Sequence, residues 1–500
     1  MTDKTTAELA SYAIEADHVV AGVKILALGD AVPRYELTVP SLGKATDAML
    51  DHLRDKLAHQ VPLIIGAASH EEAANAREQF FLLAKKTVVE EMGALGSDTI
   101  AGLLVQRMLG MGTLDILMAD GNIEELVING PRVPIMLYHR KHGWCKTTLL
   151  LSDEAILNLS SQIGRKTGYD INSLHPIMDA HLLTGDRVAA TMQPVSSFGN
   201  TITIRRFARS PWTVVSLLVN KTLTVPVVAL LWLAMQYELN IIVAGGTASG
   251  KTSMLSALGI FIPPNQRVIT IEDTREIALP AALQGNWVAL TTRNANPEGQ
   301  GEISMLHLMV ASLRMRPDRI IVGEVRRKEQ AETMFEAMHT GHSVYSTMHA
   351  DTVRQVKRRL IEPPIAIPAV ELEALHLVLI QYRDRRRGNR RTLELAEILT
   401  GGDEAGTGLE INYLYRWLPR DDVVEKVNDS IRLVEELNLH TGMTPRDIAK
   451  DLRDKESILQ WMVDKGYADI AVVGSIIQAY YADADRIVAL SRTGGRWQGG

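Results

Sequence analysis

The chain has 500 residues, of which 46% are hydrophobic and 22% charged, and its formal net charge at pH 7 is −6. This length predicts two to four domains, because single cores stop growing at roughly 250–300 residues. The composition is typical of a globular protein and excludes a disordered or fibrous one, and the acidic balance gives no general reason to expect a nucleic-acid partner. A single cysteine, Cys145, excludes an internal disulfide and a cysteine-rich zinc site.

The first 110 residues are predicted to form an extension followed by helices. Residues 1–34 are weakly patterned and are interpreted as a loosely attached N-terminal extension. Apolar residues recur at helical spacing over 46–57 and 71–92, which predicts a helical docking region at 35–110. The N-terminus lacks the features of a secretory signal, and no apolar run reaches the roughly 18–20 residues that span a bilayer. We therefore expect a cytoplasmic protein.

The next hundred residues contain the short alternating runs of β-strands. Such runs occur at 125–129, 133–138 and 201–205, and one helix is predicted at 153–167. This mixture predicts a small α+β domain at 111–210. The proline-containing segments that follow mark a predicted linker at 211–226.

From residue 227 to 401 short apolar strands alternate with helical stretches. Strands predicted at 240–244, 267–271, 319–323 and 343–347 favour a mainly parallel sheet with helices on both faces. After Gly401 the pattern is mostly helical, which predicts a helical C-terminal region at 402–500. The fold class is therefore α/β, with a smaller α+β domain before the parallel sheet.

Residues 245–252 match the phosphate-binding loop (P-loop) motif Gly-x-x-x-x-Gly-Lys-Ser/Thr, and they follow a predicted strand and open a predicted helix. Glycines let backbone N–H groups turn toward phosphates, Lys251 supplies charge for the β- and γ-phosphates, and the Thr252 hydroxyl can ligate Mg²⁺. The predicted nucleotide-binding residues are Gly245, Gly246, Thr247, Ala248, Ser249, Gly250, Lys251 and Thr252. The sequence therefore predicts ATP and Mg²⁺ as cofactors.

Two of the predicted strands end in acidic residues, the first in Glu272 and Asp273 and the second in Glu324. In open α/β sheets the carboxyl ends of the strands face the ligand crevice, so these groups could orient the attacking water or act as general base. Glu324 could also hold Mg²⁺. Two other interpretations stay open: a solvated helix cap beside Thr274 for the first pair, and a structural ion pair with Arg326 for Glu324.

Two histidines, His342 and His349, flank the predicted strand at 343–347. They could hydrogen-bond the γ-phosphate region or relay its presence to neighbouring segments, although isolated histidines are usually structural. A basic run at 383–391 lies between two further apolar strands. It is interpreted as a solvated hairpin turn, with contact to anionic lipid or nucleic acid as the alternative.

Taken together, four motifs resemble the signature of the type II/type IV secretion ATPase superfamily, which includes pilus-assembly, archaellum and conjugation motors. They are Walker A at Gly245–Thr252, an acidic box at Ile271–Thr274, Walker B at Ile321–Arg326 and a histidine box at Thr340–His349. The similarity runs from about Tyr35 to Thr400. Segments 179–188 and 201–207 resemble the N-terminal domain of the family. The resemblance implies that three arginines in these segments contact the nucleotide: Arg187, Arg205 and Arg206. The planar guanidinium group of arginine is suited to this role because it binds phosphate oxygens through two N–H groups.

The resemblance implies a RecA-like P-loop ATPase domain and a homohexamer that docks on an integral membrane platform protein at the inner face of the membrane. Pilin-like subunits would be its indirect substrates. One cysteine cannot build the four-cysteine zinc module of many bacterial type II members, and the C-terminal helices are similar to those of archaeal relatives, so an archaeal pilus-type motor is favoured. The alternatives are a related motor acting on DNA and a nucleotide-gated scaffold. The expected catalytic residues are Lys251, Glu272, Glu324, Arg187 and His349.

Overall fold

The computed structural model describes residues 7–40, 43–58, 70–169, 171–182, 184–206, 211–295, 299–384, 386–400 and 409–499. The chain divides into two compact units, the first ending at Arg209 and the second beginning at Ser210.

Among its described residues the first unit contains a nine-stranded sheet and five helices. The sheet has the order β1-β2-β3-β6-β5-β4-β9-β8-β7, and its neighbours are antiparallel except for the parallel pair β3 and β6. The strands are β1 Ala7–Ala16, β2 Val19–Ala27, β3 Arg34–Thr38, β4 Ile123–Ile128, β5 Pro134–His139, β6 Gly143–Leu150, β7 Ile177–His181, β8 Arg187–Thr191 and β9 Thr201–Arg205. The helices are α1 Lys44–Ala58, α2 His70–Met92, α3 Ser97–Met108, α4 Thr113–Ala119 and α5 Asp153–Thr167.

The prediction of a loosely attached extension over residues 1–34 is wrong for the part that the structure describes. Strands β1 and β2 pair in antiparallel register from Ala7 opposite Ala27 to Ala16 opposite Val19. Along β2, Val19, Ala21, Val23 and Ile25 are buried and their neighbours are exposed, which is the period-two pattern of a strand with one buried face. These residues are thus an integral part of the sheet.

The predicted helical region at 35–110 begins with β3 and is helical from α1 to α3 in its described residues. The three helices share a core of their own, in which Leu53, Phe80 and Leu104 are buried. A docking function for this layer stays a prediction.

The second unit is built on a sheet of nine strands among its described residues, in the order β12-β11-β13-β14-β10-β15-β16-β17-β18. The six strands from β12 to β15 are parallel and the remaining pairs are antiparallel. The strands are β10 Ile241–Gly245, β11 Val268–Glu272, β12 Trp287–Thr291, β13 Arg319–Val322, β14 Ser343–Met348, β15 Leu377–Asp384, β16 Asn389–Thr400, β17 Leu409–Leu418 and β18 Val423–Lys426. The α-helices are α6 Val214–Val219, α7 Val225–Gln236, α8 Lys251–Leu258, α9 Ala281–Gln284, α10 Met305–Ser312, α11 Lys328–His339, α12 Val353–Ile361, α13 Arg432–Thr441, α14 Pro445–Asp464, α15 Ile470–Ala482 and α16 Ala484–Thr493.

Strand β10 is apolar throughout because both faces of the sheet are covered there. In β10, Ile241 and Val243 belong to the core on one face, and Ile242 and Ala244 to the core on the other. Continuous burial of this kind is typical of parallel sheets flanked by helices. The predicted α/β class, with a smaller α+β domain before a P-loop domain, is confirmed.

Two predicted boundaries in this unit are wrong. The segment 211–226, predicted as a linker, contains α6, whose Val214 and Val215 are fully buried in the core of the second unit. The region predicted as helical from 402 begins, in its described residues, with β17 and β18, and its helices begin only at α13. In both places packing against the rest of the unit decides the structure.

Within the described ranges, no single helix is long and apolar enough to cross a membrane. The bent pair α3 and α4, whose axes meet at 103°, passes a test of length and composition when the two are taken together.

Candidate functional site

The P-loop joins the end of β10 to the start of α8 in the second unit. A Cβ at Gly245 would lie 2.3 Å from the backbone oxygen of Gln381 and 2.5 Å from Ser249 Oγ, so only glycine fits there. Gly250 has φ 93°, the left-handed region that favours glycine, and directly precedes α8. The loop therefore leads directly into the N-terminus of α8, and backbone N–H groups at such a position bind phosphate.

Lys251 lies at the first position of α8 and is 8% exposed. Its Nζ donates a hydrogen bond to the backbone oxygen of Gly246 at 3.1 Å, so the ammonium group is held over the loop. Burial lowers the pKa of Lys251, and the nearby carboxylates of Glu324 and Asp351 oppose that effect. The lysine charge is thus partly desolvated at the point where phosphate oxygens are expected.

His349 connects the P-loop lysine to the acidic residue of Walker B. Its Nδ1 lies 3.3 Å from Lys251 Nζ, and its Nε2 lies 3.4 Å from Glu324 Oε1. A neutral imidazole that accepts from the ammonium at Nδ1 carries its proton at Nε2, facing the carboxylate. The order lysine, imidazole, carboxylate therefore forms one contact chain at the carboxyl edge of the parallel sheet.

The ion pair between Glu324 and Arg326 is also present, so Glu324 has two partners. Arg326 Nη2 lies 2.7 Å from Glu324 Oε2, and its Nη1 lies 3.0 Å from Asp273 Oδ2. Arg326 thereby bridges Asp273 of the acidic box and Glu324 of Walker B. Glu324 therefore forms the predicted ion pair with Arg326 through Oε2 and also contacts His349 through Oε1.

Glu272 is 2% exposed at the end of β11. Burial raises its pKa to about 7, although its Oε1 accepts hydrogen bonds from the N–H groups of Glu276 and Ile277 at 2.9 and 3.0 Å. A carboxyl with a pKa near the working pH is suited to general-base chemistry. The geometry nevertheless brings Glu324, rather than Glu272, onto the imidazole beside Lys251.

The residues present fit a Mg²⁺ ion that arrives with nucleotide. No group of three or more His, Cys, Asp or Glu side chains in the described part of the chain is arranged to hold a metal by itself. Thr252 lies in the first turn of α8, and Glu324 follows β13 at the same edge of the sheet. Such a donor set, one hydroxyl and one carboxylate, is typical of Mg²⁺ that takes its other ligands from phosphate and water.

The structure separates His342 from the P-loop within this chain, against the expectation that both histidines meet the nucleotide. His342 precedes β14 and His349 follows it, so seven steps of roughly 3.3 Å each place their Cα atoms about 23 Å apart. His342 Nδ1 lies 3.1 Å from Thr340 Oγ1. Its side chain lines a cleft of about 520 Å³ together with His376 and Glu436 at the opposite edge of the sheet.

The three candidate arginines belong to the first unit and differ in their contacts. Arg187 forms a two-pronged pair with Asp179, with Nε to Oδ1 at 2.8 Å and Nη2 to Oδ2 at 2.5 Å. Arg205 lies directly opposite Arg187 in the β8–β9 register. Arg206 donates through Nη1 to the backbone oxygens of Asp120 and Ile123, the latter at 3.1 Å, so its contacts here are those of a structural residue.

Three further residues around the P-loop were not singled out from the sequence. Asp351 Oδ1 would lie 3.0 Å from a Cβ at Gly246, Arg359 donates to the backbone oxygen of His349, and Arg390 donates to that of Ala248. Asp351 adjoins the histidine box, and Arg390 belongs to the basic run at 383–391, which the sequence did not connect with the P-loop. Arg359 and Arg390 reach the site through the packing of α12 and the pairing of β15 with β16.

Comparison with known proteins agrees with this geometry. The family model "Type II/IV secretion system protein" matches residues 171–384. An uncharacterized protein of Methanocaldococcus jannaschii is 34% identical over 391 residues, which cover 77% of this chain and 70% of that protein. The type IV secretion system protein PtlH of Bordetella pertussis is 32% identical over 305 residues, 54% of this chain and 88% of PtlH.

Among solved structures, the ATPase DotB of Legionella pneumophila aligns with 77% of this chain and 96% of its own, at 18% identity and a TM-score of 0.42. That score is too low to add weight to the sequence relationships. Because the identity to relatives extends over most of their length as well as over the P-loop domain, the chain belongs to the type II/IV secretion system protein family.

Proposed function

We propose that this protein is an ATP-hydrolysing motor of a type II secretion or type IV pilus-like system. The observation that carries the proposal is the contact chain from Lys251 through His349 to Glu324. It couples the phosphate-binding loop to the acidic strand end next to it. A fold that only bound nucleotide would need the P-loop but not an imidazole held between lysine and carboxylate.

In this proposal the residues act on the γ-phosphate in turn. Lys251 exchanges its contact with the Gly246 oxygen for phosphate oxygens, which stabilises charge in bound ATP and in the transition state. His349, released from the lysine, faces the terminal phosphate and relays its presence to Glu324. Thr252 and Glu324 would hold Mg²⁺, which when bound supplies charge neutralisation on the phosphates.

Either Glu272 or Glu324 orients the attacking water. Glu272 must be ionised to act as base, and its pKa of about 7 allows that in roughly half of the molecules at neutral pH. Glu324 is held from both sides, by Arg326 and His349, so its carboxylate position is fixed. The two roles are separable by substitution, as described below.

The assembly we propose is a homohexameric ring on the cytoplasmic face of the membrane, docked on an integral platform protein and driving pilin-like subunits. Arg187 and Arg205 would contribute to nucleotide contacts within this ring, in cis or in trans. Family membership supports the ring and the membrane partner, and the relative from Methanocaldococcus jannaschii supports an archaeal type of system.

The test is phosphate release from Mg-ATP by the full-length protein, compared with Lys251→Ala. We expect turnover to fall at least about 10²-fold in that variant, because the lost charge stabilised the transferring phosphoryl group. Lys328→Ala is the matched control, since Lys328 is an exposed lysine at the start of α11. Near-normal hydrolysis by Lys251→Ala would remove the nucleotide-site assignment.

Two further outcomes separate the alternatives. ATP binding without phosphate release by the wild type would indicate a nucleotide-gated scaffold. Strong stimulation of the ATPase by single- or double-stranded DNA, together with direct binding, would indicate a DNA motor.

A further inference from the structure

The hairpin formed by β15 and β16 reaches the P-loop. Strand β15 runs parallel to β10 with Gly245 opposite Gln381, so it passes beside the point where β10 enters the loop. It then continues for three residues to Asp384, and β16 returns antiparallel from Asn389. The pairing of β15 with β10 and with β16 therefore places the end of this hairpin, which contains described residues of the basic run at 383–391, beside the P-loop.

Arg390 is the described member of that run that contacts the P-loop. Its Nε donates a hydrogen bond to the backbone oxygen of Ala248 at 3.2 Å. A Cβ at Gly250 would lie 3.3 Å from Arg390 Cδ and 3.7 Å from its Nε. The arginine side chain thus lies along the segment from Ala248 to Gly250, on the side of the Ala248 carbonyl oxygen.

Ala248 is a residue whose conformation needs such support. Its φ of 58° is in the left-handed region, which costs a non-glycine residue about 1 kcal/mol or more unless its surroundings hold it there. When successive N–H groups of a loop converge on an anion, the carbonyl oxygens turn outward and need partners of their own. Arg390 is a partner for Ala248, as Lys251 is for Gly246.

Neighbouring arginines of the run have other environments. Arg391 forms a two-pronged pair with Asp422 at 2.7 and 2.8 Å and is buried, so it anchors the hairpin. Arg386 and Arg387 are exposed at the tip of the turn, where their backbone N–H groups donate to Asp384 Oδ1. Arg387, three residues before Arg390, therefore provides a matched control.

We propose that Arg390 is a positioning residue for nucleotide binding, which holds Ala248–Gly250 in the phosphate-receiving conformation and places a cation behind it. The ligands concerned are nucleoside di- and triphosphates. The inference rests on the proposed nucleotide site but not on hydrolysis. The tip of the basic run is an exposed hairpin turn, as the sequence predicts, and for Arg390 this proposal takes the place of the alternative of lipid or nucleic-acid contact.

The experiment is a direct titration of the full-length protein with a fluorescent ADP analogue, which needs no turnover. We expect Arg390→Ala to raise the Kd about 10- to 100-fold, as for the loss of a hydrogen bond from a charged group. Arg387→Ala removes a cation from the same turn and should change the Kd less than about 3-fold, because exposed charges are screened by solvent and salt. Thermal melts without nucleotide should be alike for both variants.

Two conservative variants separate charge from hydrogen bonding. Arg390→Gln keeps an N–H donor without charge, and Arg390→Lys keeps the charge on a shorter donor; each should restore part of the affinity lost in Arg390→Ala. Equal affinity of Arg390→Ala and Arg387→Ala, whether both normal or both weakened, would overturn the inference. ADP binding that depends on Arg390 in a protein that releases no phosphate would remove the motor proposal and leave this one standing.

Discussion

Replacing Glu272 by Gln is expected to stabilise the second unit at pH 8 and to change its stability little at pH 5. The carboxyl is almost fully buried at the end of β11, and burial raises its pKa from an ordinary value near 4.5 to about 7. Between these two values the folded state binds a proton that the unfolded state has released. The stability that this proton confers is complete below pH 4.5 and is lost as the pH rises through 7.

The magnitude follows from the interval between the two pKa values. At about 1.36 kcal/mol for each pKa unit, the ionised carboxylate costs about 3 kcal/mol of folding free energy at pH 8, and under about 1 kcal/mol at pH 5. A glutamine has the same shape and no charge. Its amide oxygen can still accept from the N–H groups of Glu276 and Ile277, so the substitution removes the cost without breaking those hydrogen bonds.

The assay is differential scanning calorimetry at pH 5, 6, 7 and 8. The transition of the second unit is identified as the one that ADP shifts upward, because a ligand stabilises the unit that binds it. For a unit of this size 1 kcal/mol corresponds to roughly 2–4 °C, so Glu272→Gln should melt about 6–12 °C higher than wild type at pH 8. Glu329→Gln, in the first turn of α11, is the control for loss of a charge without loss of a buried carboxyl, because Glu329 is exposed.

The reasoning fails if the difference in melting temperature between Glu272→Gln and wild type does not depend on pH. A stabilisation of equal size in Glu329→Gln would likewise assign the effect to net charge. Turnover supplies a second readout: if Glu272 is the base, wild-type phosphate release rises through pH 7 and the glutamine variant loses at least about 10²-fold.

Two further predictions concern the remaining catalytic candidates. Glu324→Gln should bind Mg-ATP but hydrolyse it at least about 10²-fold more slowly, as measured by single-turnover phosphate release, and a parental rate would leave Glu324 with only its ion pair to Arg326. Arg187→Ala should bind nucleotide and lose most turnover, since an arginine finger contributes roughly 10³–10⁵ in rate. Equal mixtures of Arg187→Ala and Lys251→Ala should regain partial activity if the arginine acts in trans, whereas inactive rings of proven mixed composition would rule that geometry out.

The parallel sheet could be predicted from the sequence because its strands are buried on both faces. Ile241, Ile242 and Val243 form a continuous apolar run bounded by Asn240 and a glycine-rich turn, a pattern with few competing interpretations. The first two strands could not be predicted as securely. Alanine and glutamate, which strands disfavour, make up much of Ala7–Ala16, and the segment is ordered by its pairing with β2 and by contacts such as the hydrogen bond from the Tyr12 hydroxyl to Asp120.

The same contrast holds within the site. Residues of the P-loop adjoin one another along the chain, so a motif finds them, and the contact of His349 with Lys251 follows from the parallel pairing of β14 with β10. Arg390 lies 142 residues from Ala248, and its position depends on the length of one hairpin. The strand between His342 and His349 could be predicted, but the expectation that both histidines meet one nucleotide did not take account of its length, which separates His342 from the P-loop within this chain.

The C-terminal helices share a core with the P-loop domain. The fully buried Trp232 of α7 stacks on Phe261 with ring centroids 4.9 Å apart, and its Nε1 donates to the Tyr481 hydroxyl of α15 at 3.2 Å. That hydroxyl in turn donates to the backbone oxygen of Phe261 at 2.6 Å. A protease cut ahead of α14 should therefore yield two fragments that co-purify and separate only in denaturant. A polypeptide made without α14–α16 would leave the indole and its apolar neighbours open to water and to aggregation.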